Sequence, residues 1–513
     1  MKKIFAIVLT ILTLVGMLCI TAVAAEPANE LPAPAEGTLL RVTAIKGDET
    51  VLVGDYTNFE DGWHKAIHEG LPRQTKITKY ERIIVDFYAD WTSADDGNFT
   101  DDAWDESNSE GFNNDTIEIP DDVKITINLN GHTIKRVLPE SISDGEVMYI
   151  DEDADVIINN GTITGGKSTN GAGGIHIHDA NVELNDVHIV GNVADDDDGG
   201  GIALYDGAEL IMTRGSFTNN SIDGIYDNMF SDYYGGAIYI EESKAFFYSV
   251  EFKNNQNTSD PDYGAAIYAD NSVVYLSKCT FDGNGVADKS NNIYATTSIV
   301  HAVDTTLTME KVTFTNNGSY CLNLGIDNVF SSLILLDDST FRLFGDSKFT
   351  NNAATFMINV KDDSNVYVED TTFIDNNSFV MYSALQHYDD SYFKNCTFEN
   401  NKVPNPESVF PNIYNWIYTF RVHGETLTFI DCKLSDSTYF DKDCIVFEDT
   451  DALDGRARRF GSIFGEGSLT MIVAFLSLIA SGVAIFLVVY YNKKKAAPVA
   501  ANGVAETETD DEE

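Results

Sequence analysis

Positive charge is scarce in this sequence: 33 Lys and Arg stand against 81 Asp and Glu, a formal net charge of −48. Nucleic acid needs a basic footprint, so DNA and RNA are excluded as partners. Polyuronates and other polyanionic glycans are repelled as well, unless a divalent cation bridges them. Such a surface keeps a chain soluble and resists self-association. Cysteine is also thin. Cys19 lies in a leader-like segment, and Cys279, Cys321, Cys396, Cys432 and Cys444 form an odd set that matches no zinc ribbon or dense disulfide framework. Cys396 and Cys432 fall on neighbouring turns of the repeat described below, where a disulfide and two buried free thiols are both open readings. Helical periodicity is missing from the body of the chain, as is an L-P-x-T-G sorting sequence.

Long apolar runs occur only near the two ends. Lys2 and Lys3 precede an apolar run from Ile4 to about Val23 and the small pair Ala24–Ala25, the pattern of a signal peptide over 1–25. Leu469 to Tyr491 carries no charge and is long enough, as a helix, to cross a hydrocarbon core of about 30 Å. Lys493, Lys494 and Lys495 follow at once. These features predict a single-pass cell-membrane protein with its bulk outside: a spanning helix at 468–492, a linker at 451–467 and an acidic cytoplasmic tail at 493–513.

The body repeats. Phe-x-x-Asn recurs at Phe217/Asn220, Phe252/Asn255, Phe281/Asn284, Phe314/Asn317, Phe349/Asn352, Phe373/Asn376 and Phe398/Asn401, in steps of 35, 29, 33, 35, 24 and 25 residues. A glycine motif alternates with it, at Gly173-Gly174-Ile175, Gly200-Gly201-Ile202, Gly235-Gly236-Ala237-Ile238 and Gly264-Ala265-Ala266-Ile267, with Asn292-Ile293-Tyr294 as a worn copy. Acidic turns such as Asp337-Asp338-Ser339, Asp362-Asp363-Ser364 and Asp389-Asp390-Ser391 precede most of the phenylalanines. Short strand-like runs between turns that return in the same order predict a stacked coil, not a sandwich. Phenylalanine then stacks inside on its own copies. Asparagine takes the left-handed backbone of a corner and bonds to the Asn of the next rung. The fold class expected is all-β, a right-handed parallel β-helix over 116–450. A differently composed N-terminal cap occupies 26–115, with a short helix at about 61–68 capped by Asp61 and a buried strand at Ile83–Phe87.

These interleaved G-G-A-I and F-x-x-N motifs resemble the repeats of the polymorphic outer-membrane-protein family, over roughly residues 160 to 405. The resemblance implies a β-helical surface protein that works in adhesion. The chain departs from that family at its end, where a single apolar helix stands in place of an export barrel. That end resembles anchored surface proteins of Gram-positive bacteria.

Candidate chemistry is sparse. Tyr239, Tyr268 and Tyr294 follow the repeated isoleucine, so they point outward as a column that stacks on sugar rings or on itself. Asp195, Asp196, Asp197 and Asp198 gather oxygens that calcium accepts, or form a solvated acidic turn. His176, His178 and His188 offer imidazoles that share a face if their strands are neighbours. Arg421 and His423, with Asp389 and Asp390, are the one place where basic groups meet carboxylates outside a simple repeat. The expected function is a surface adhesin that binds a glycan or a surface protein. The alternatives are a tethered polysaccharide lyase or glycoside hydrolase, and a structural spacer.

Overall fold

A computed structural model of the chain describes residues 31–450, except 71–78, 94–111, 114–115, 138–144, 224–232, 258–263, 286–297, 319–331, 384–390, 402–419, 423–426, 435–444 and the single positions 170, 196 and 449. Among these residues no helix is long and apolar enough to cross a membrane. The segments 1–25 and 468–492 lie outside them.

Strands form because apolar residues alternate with polar ones. Asp155–Thr164 and Asn181–Val190 bury nearly every second side chain. The apolar face of such a strand needs cover, and the chain supplies it by coiling so that the inward faces of its strands meet. Each strand pairs in parallel with its counterpart one coil later: Phe217 opposite Phe252, Leu210 opposite Ala245, Ile202 opposite Ile238. The result is a β-helix-like solenoid with a long sheet of 23 strands, a second sheet of 12 and a short one of four. One coil runs from the second-sheet strand Ile202–Tyr205, through a turn at Asp206 and Gly207, into the long-sheet strand Glu209–Thr218. Asn219, at φ 56°, then turns the chain into the short strand Ser221–Ile222.

The interior is a set of ladders. Phe217, Phe252, Phe281, Phe314, Phe349, Phe373 and Phe398 stack with centroids 4.3–5.2 Å apart. Beside them runs an asparagine ladder. Asn317 Nδ2 donates to Asn352 Oδ1 at 3.1 Å and to the Phe281 carbonyl at 2.8 Å. Its Oδ1 accepts from Asn284 Nδ2 and from the Asn284 backbone N–H, both at 3.0 Å. The same pattern joins Asn220, Asn255, Asn284, Asn352 and Asn376 to their successors. Two amide protons and two carbonyl lone pairs are thereby all satisfied in a dry interior. The left-handed backbone expected of these asparagines belongs to the residue before each of them: Asn219, Asn254, Gly283, Asn316, Asn351, Asp375 and Asn400. The corner and the ladder are separate tasks on neighbouring residues.

The acidic turns behave likewise. Glu242, Asn271, Asp304, Asp338 and Asp362 hold positive φ, and the hydroxyl after the turn bonds back along the solenoid. Ser272 Oγ accepts the Ser243 N–H at 3.1 Å, and Ser339 Oγ accepts that of Thr305 at 3.0 Å. In the glycine motif the left-handed position is Gly199, Gly235 and Gly264, with φ of 71°, 79° and 70°. Alanine replaces the following glycine at Ala265, whereas a Cβ on its counterpart Gly236 would clash with the Gln256 carbonyl oxygen, so the need for the second glycine varies from coil to coil. A Cβ on Gly264 would stand 2.5 Å from the Ile267 carbonyl oxygen. Gly264→Ala is expected to cost roughly 2 kcal/mol in a denaturant titration, against under about 1 for Ala265→Gly.

The N-terminal end is closed by a different arrangement. Leu40–Lys46 pairs antiparallel with Glu49–Tyr56 and with Arg82–Phe87, and the last of these starts the parallel stack on Lys124–Asn128. The helix Phe59–Gly70 buries Phe59, Trp63, Ala66 and Ile67 along one face. Phe59 stacks on Trp63 at 5.6 Å and on Trp91 at 4.1 Å. Its cap is Asn58, not Asp61: Asn58 Oδ1 accepts the Asp61 N–H at 2.9 Å. The helix therefore begins three residues earlier than the Asp61 cap predicts. Cys279, Cys396 and Cys432 are buried free thiols. Cys432 Sγ accepts the Cys396 N–H at 3.4 Å, in place of a hydroxyl of the kind Thr450 offers one coil on.

Candidate binding faces of the solenoid

The outward positions of the second sheet carry the expected tyrosine column, but they are not open. Tyr239 pairs with Tyr268 in register and stacks on it at 5.6 Å and 11°. Tyr205 lies 5.4 Å before Tyr239, and His176 and Tyr149 extend the row. Tyr234 lies over Tyr268 at 4.2 Å. Tyr239 and Tyr268 are left 6% and 7% exposed. The rung partner of Tyr268 is His301, whereas Tyr294 lies outside the described residues. His301 is buried edge-on against Tyr268 at 5.0 Å, and desolvation pushes it down to about 3, so it is neutral. The motif match at Asn292-Ile293-Tyr294 misplaced this rung because the strand is Ser298–Val303, which lacks the glycine pair. The column is a self-stacked ladder under a cover.

The aspartate run lies at the rim of that cover. Asp195 pairs with Lys167 at 2.8 Å. Asp197 accepts the N–H groups of Gly171 and Asp198, both at 2.7 Å, and Asp198 accepts the Tyr234 N–H at 2.5 Å. Asp196 lies outside the described residues. The three described carboxylates thus diverge to different partners. Burial pushes Asp198 up to about 8, with Asp197 and Glu241 adding repulsion. The sequence shows a run of four aspartates and nothing that marks Asp198 as the one whose carboxyl is desolvated.

His176 and His178 share a strand and a side, as spacing predicts. His176 Nδ1 is 3.6 Å from Glu146, and His178 Nε2 is 3.0 Å from Asp206. His188 lies on the long sheet against Ser216 and does not join them. Asp337, Asp338 and Asp362 bring three carboxylate oxygens within 4.8 Å of one another. Asp338 and Asp362 hold the left-handed turn there. Asp337 is pushed up to about 6, first by burial and then by its hydrogen bond to Asp362. Arg421 lies in the strand Phe420–Val422 opposite Tyr382, and His423, Asp389 and Asp390 lie outside the described residues.

Sequence reasoning missed the aromatic stripe on the long sheet. The register aligns Phe246, Tyr275, Thr308, Arg342, Tyr367 and Tyr392 in one outward column. Tyr248 and Glu310 stand in the adjacent column. These side chains are half-buried, and Tyr248 is 40% exposed. Tyr275 Oη donates to Glu310 at 2.8 Å and Tyr392 Oη to Glu369 at 2.6 Å. Arg342 lies 5.4 Å from the centre of the Tyr367 ring. Earlier coils place Thr126, Ile157, Glu183 and Ile211 in the same column, so the aromatic character is confined to part of the solenoid. No family model, curated protein or solved structure matches the chain.

Proposed function

We propose that this chain is an adhesin-like surface protein that binds glycan through the outward face of its long sheet. In this reading it is a right-handed parallel β-helix, exported by 1–25 and held at a bacterial cell membrane by a helix at 468–492. The observation that carries the binding role is the half-open stripe from Phe246 to Tyr392. Aromatic faces stack on the apolar faces of sugars, and flanking carboxylates accept from sugar hydroxyls. A spacer has no need of such a stripe. The repeat resemblance supports adhesion in the same direction.

The test uses the full chain in detergent with plant, mucin and bacterial glycans, with and without calcium. Both retention and release of reducing or unsaturated ends are followed. Retention without cleavage is expected. Cleavage of any glycan would replace this reading with a tethered lyase or hydrolase, and no retention would leave the spacer.

A further inference from the structure

The aromatic stripe is interrupted. Phe246, Tyr248 and Tyr275 gather at one end, with Tyr248 and Tyr275 5.8 Å apart and Glu310 fixed by the Tyr275 hydroxyl. Arg342, Tyr367 and Tyr392 gather at the other, with the two tyrosines 5.5 Å apart and Glu369 fixed by the Tyr392 hydroxyl. Thr308 alone occupies the column between them. The two clusters repeat one design: paired rings beside a carboxylate held by a tyrosine. We infer that they are two subsites for one uncharged linear glycan laid along the solenoid axis, an assignment that rests on the glycan-binding reading above.

Direction follows from register. The column runs from coil to coil and is narrow across the strands, so a chain can meet both clusters only by lying along the axis. Strands in a sheet are about 4.8 Å apart, so the five steps from Phe246 to Tyr392 span about 24 Å. A monosaccharide or disaccharide reaches one cluster, and a longer oligomer reaches both.

The ligand class follows from charge. Glu310 accepts hydrogen bonds from Lys311 and Tyr275, which hold its carboxyl below the usual range and keep it ionised. Each subsite thus presents a fixed acceptor that suits a sugar hydroxyl or amide N–H and repels a sugar carboxylate. A cation offsets part of this at each end, Lys311 on Glu310 at 2.7 Å and Arg342 over the Tyr367 ring. The net charge of −48 adds a long-range repulsion of polyuronates.

The test measures binding of neutral β-linked glucose and N-acetylglucosamine oligomers of increasing length to the full chain, with oligogalacturonates of equal length as the charged series. Neutral oligomers are expected to gain on the order of 100-fold in affinity over a narrow range of length, where a second subsite is first reached. Tyr275→Ala and Tyr367→Ala should each abolish that step and leave the affinity of short oligomers. Tyr275→Phe keeps the ring and should keep the step, and unchanged melting temperatures exclude misfolding as the cause. Neutral binding without a length step, or equally tight binding of oligogalacturonates, would overturn the two-subsite assignment while leaving glycan binding intact. Binding of no glycan would remove both.

Discussion

Asn317→Ala is expected to lower the stability of the solenoid by roughly 4–6 kcal/mol. The amide makes four buried hydrogen bonds, to Asn284 and the Phe281 carbonyl of the preceding coil and to Asn352 of the next. Truncation leaves four buried polar groups short of a partner, each costing about 1–3 kcal/mol before local relaxation. Because a solenoid is stabilised by nearest-neighbour interfaces, a break in its middle also weakens the coupling between the two halves. Denaturant unfolding followed by far-UV circular dichroism should therefore shift to a lower midpoint and broaden. Asn316→Ala, one residue away on an exposed left-handed corner, is expected to cost only about 1–2 kcal/mol. Equal effects at the two positions would contradict the separation of ladder from corner.

Asp198 provides the second large effect. In the fold it keeps its proton up to about pH 8, against an ordinary value of 3.8. The folded chain therefore binds one proton more than the unfolded chain across that window. Its contribution to stability is fully present below about pH 4 and is lost as pH rises through about 8. The total is on the order of 5 kcal/mol. Glu118, Glu241, Asp270 and Asp337 are also raised and act in the same direction. Asp55 and Asp186, held low by Arg41 and Arg214, oppose them at the acid end. Asp198→Asn keeps an acceptor for the Tyr234 N–H and has no proton to lose. Its melting temperature should exceed that of the wild type at pH 9 and fall much less steeply between pH 5 and pH 9. A variant with the wild-type slope would show that Asp198 is ionised in the fold.

The repeats made the interior readable. Phenylalanine and asparagine at a fixed offset predict two stacked ladders, because each must meet its own copy once the chain coils, and both are present. Acidic turns were readable for the same reason. The face of the solenoid was not. Outward residues do not repeat, so no spacing marks Phe246, Tyr275, Arg342, Tyr367 and Tyr392 as one column; only the register does. The tyrosines after the repeated isoleucine do point outward, but the cover formed with Tyr234 comes from the connection between coils. Such connections vary in length from coil to coil and follow no pattern. The same variation moved the rung after Tyr268 from Tyr294 to His301. At the helix, Asn58 and Asp61 are both good caps by residue type, and the choice depended on where Phe59 reaches Trp91.

The most direct test compares the two aromatic faces. Retention on a bound glycan and melting temperature would be measured for Tyr275→Ala combined with Tyr392→Ala, and separately for Tyr239→Ala. The first variant should lose retention with little change in melting temperature. The second should melt earlier yet retain glycan at temperatures where it is folded. Loss of retention through Tyr239, with the Tyr275 and Tyr392 variant unaffected, would place binding on the covered column and contradict this account.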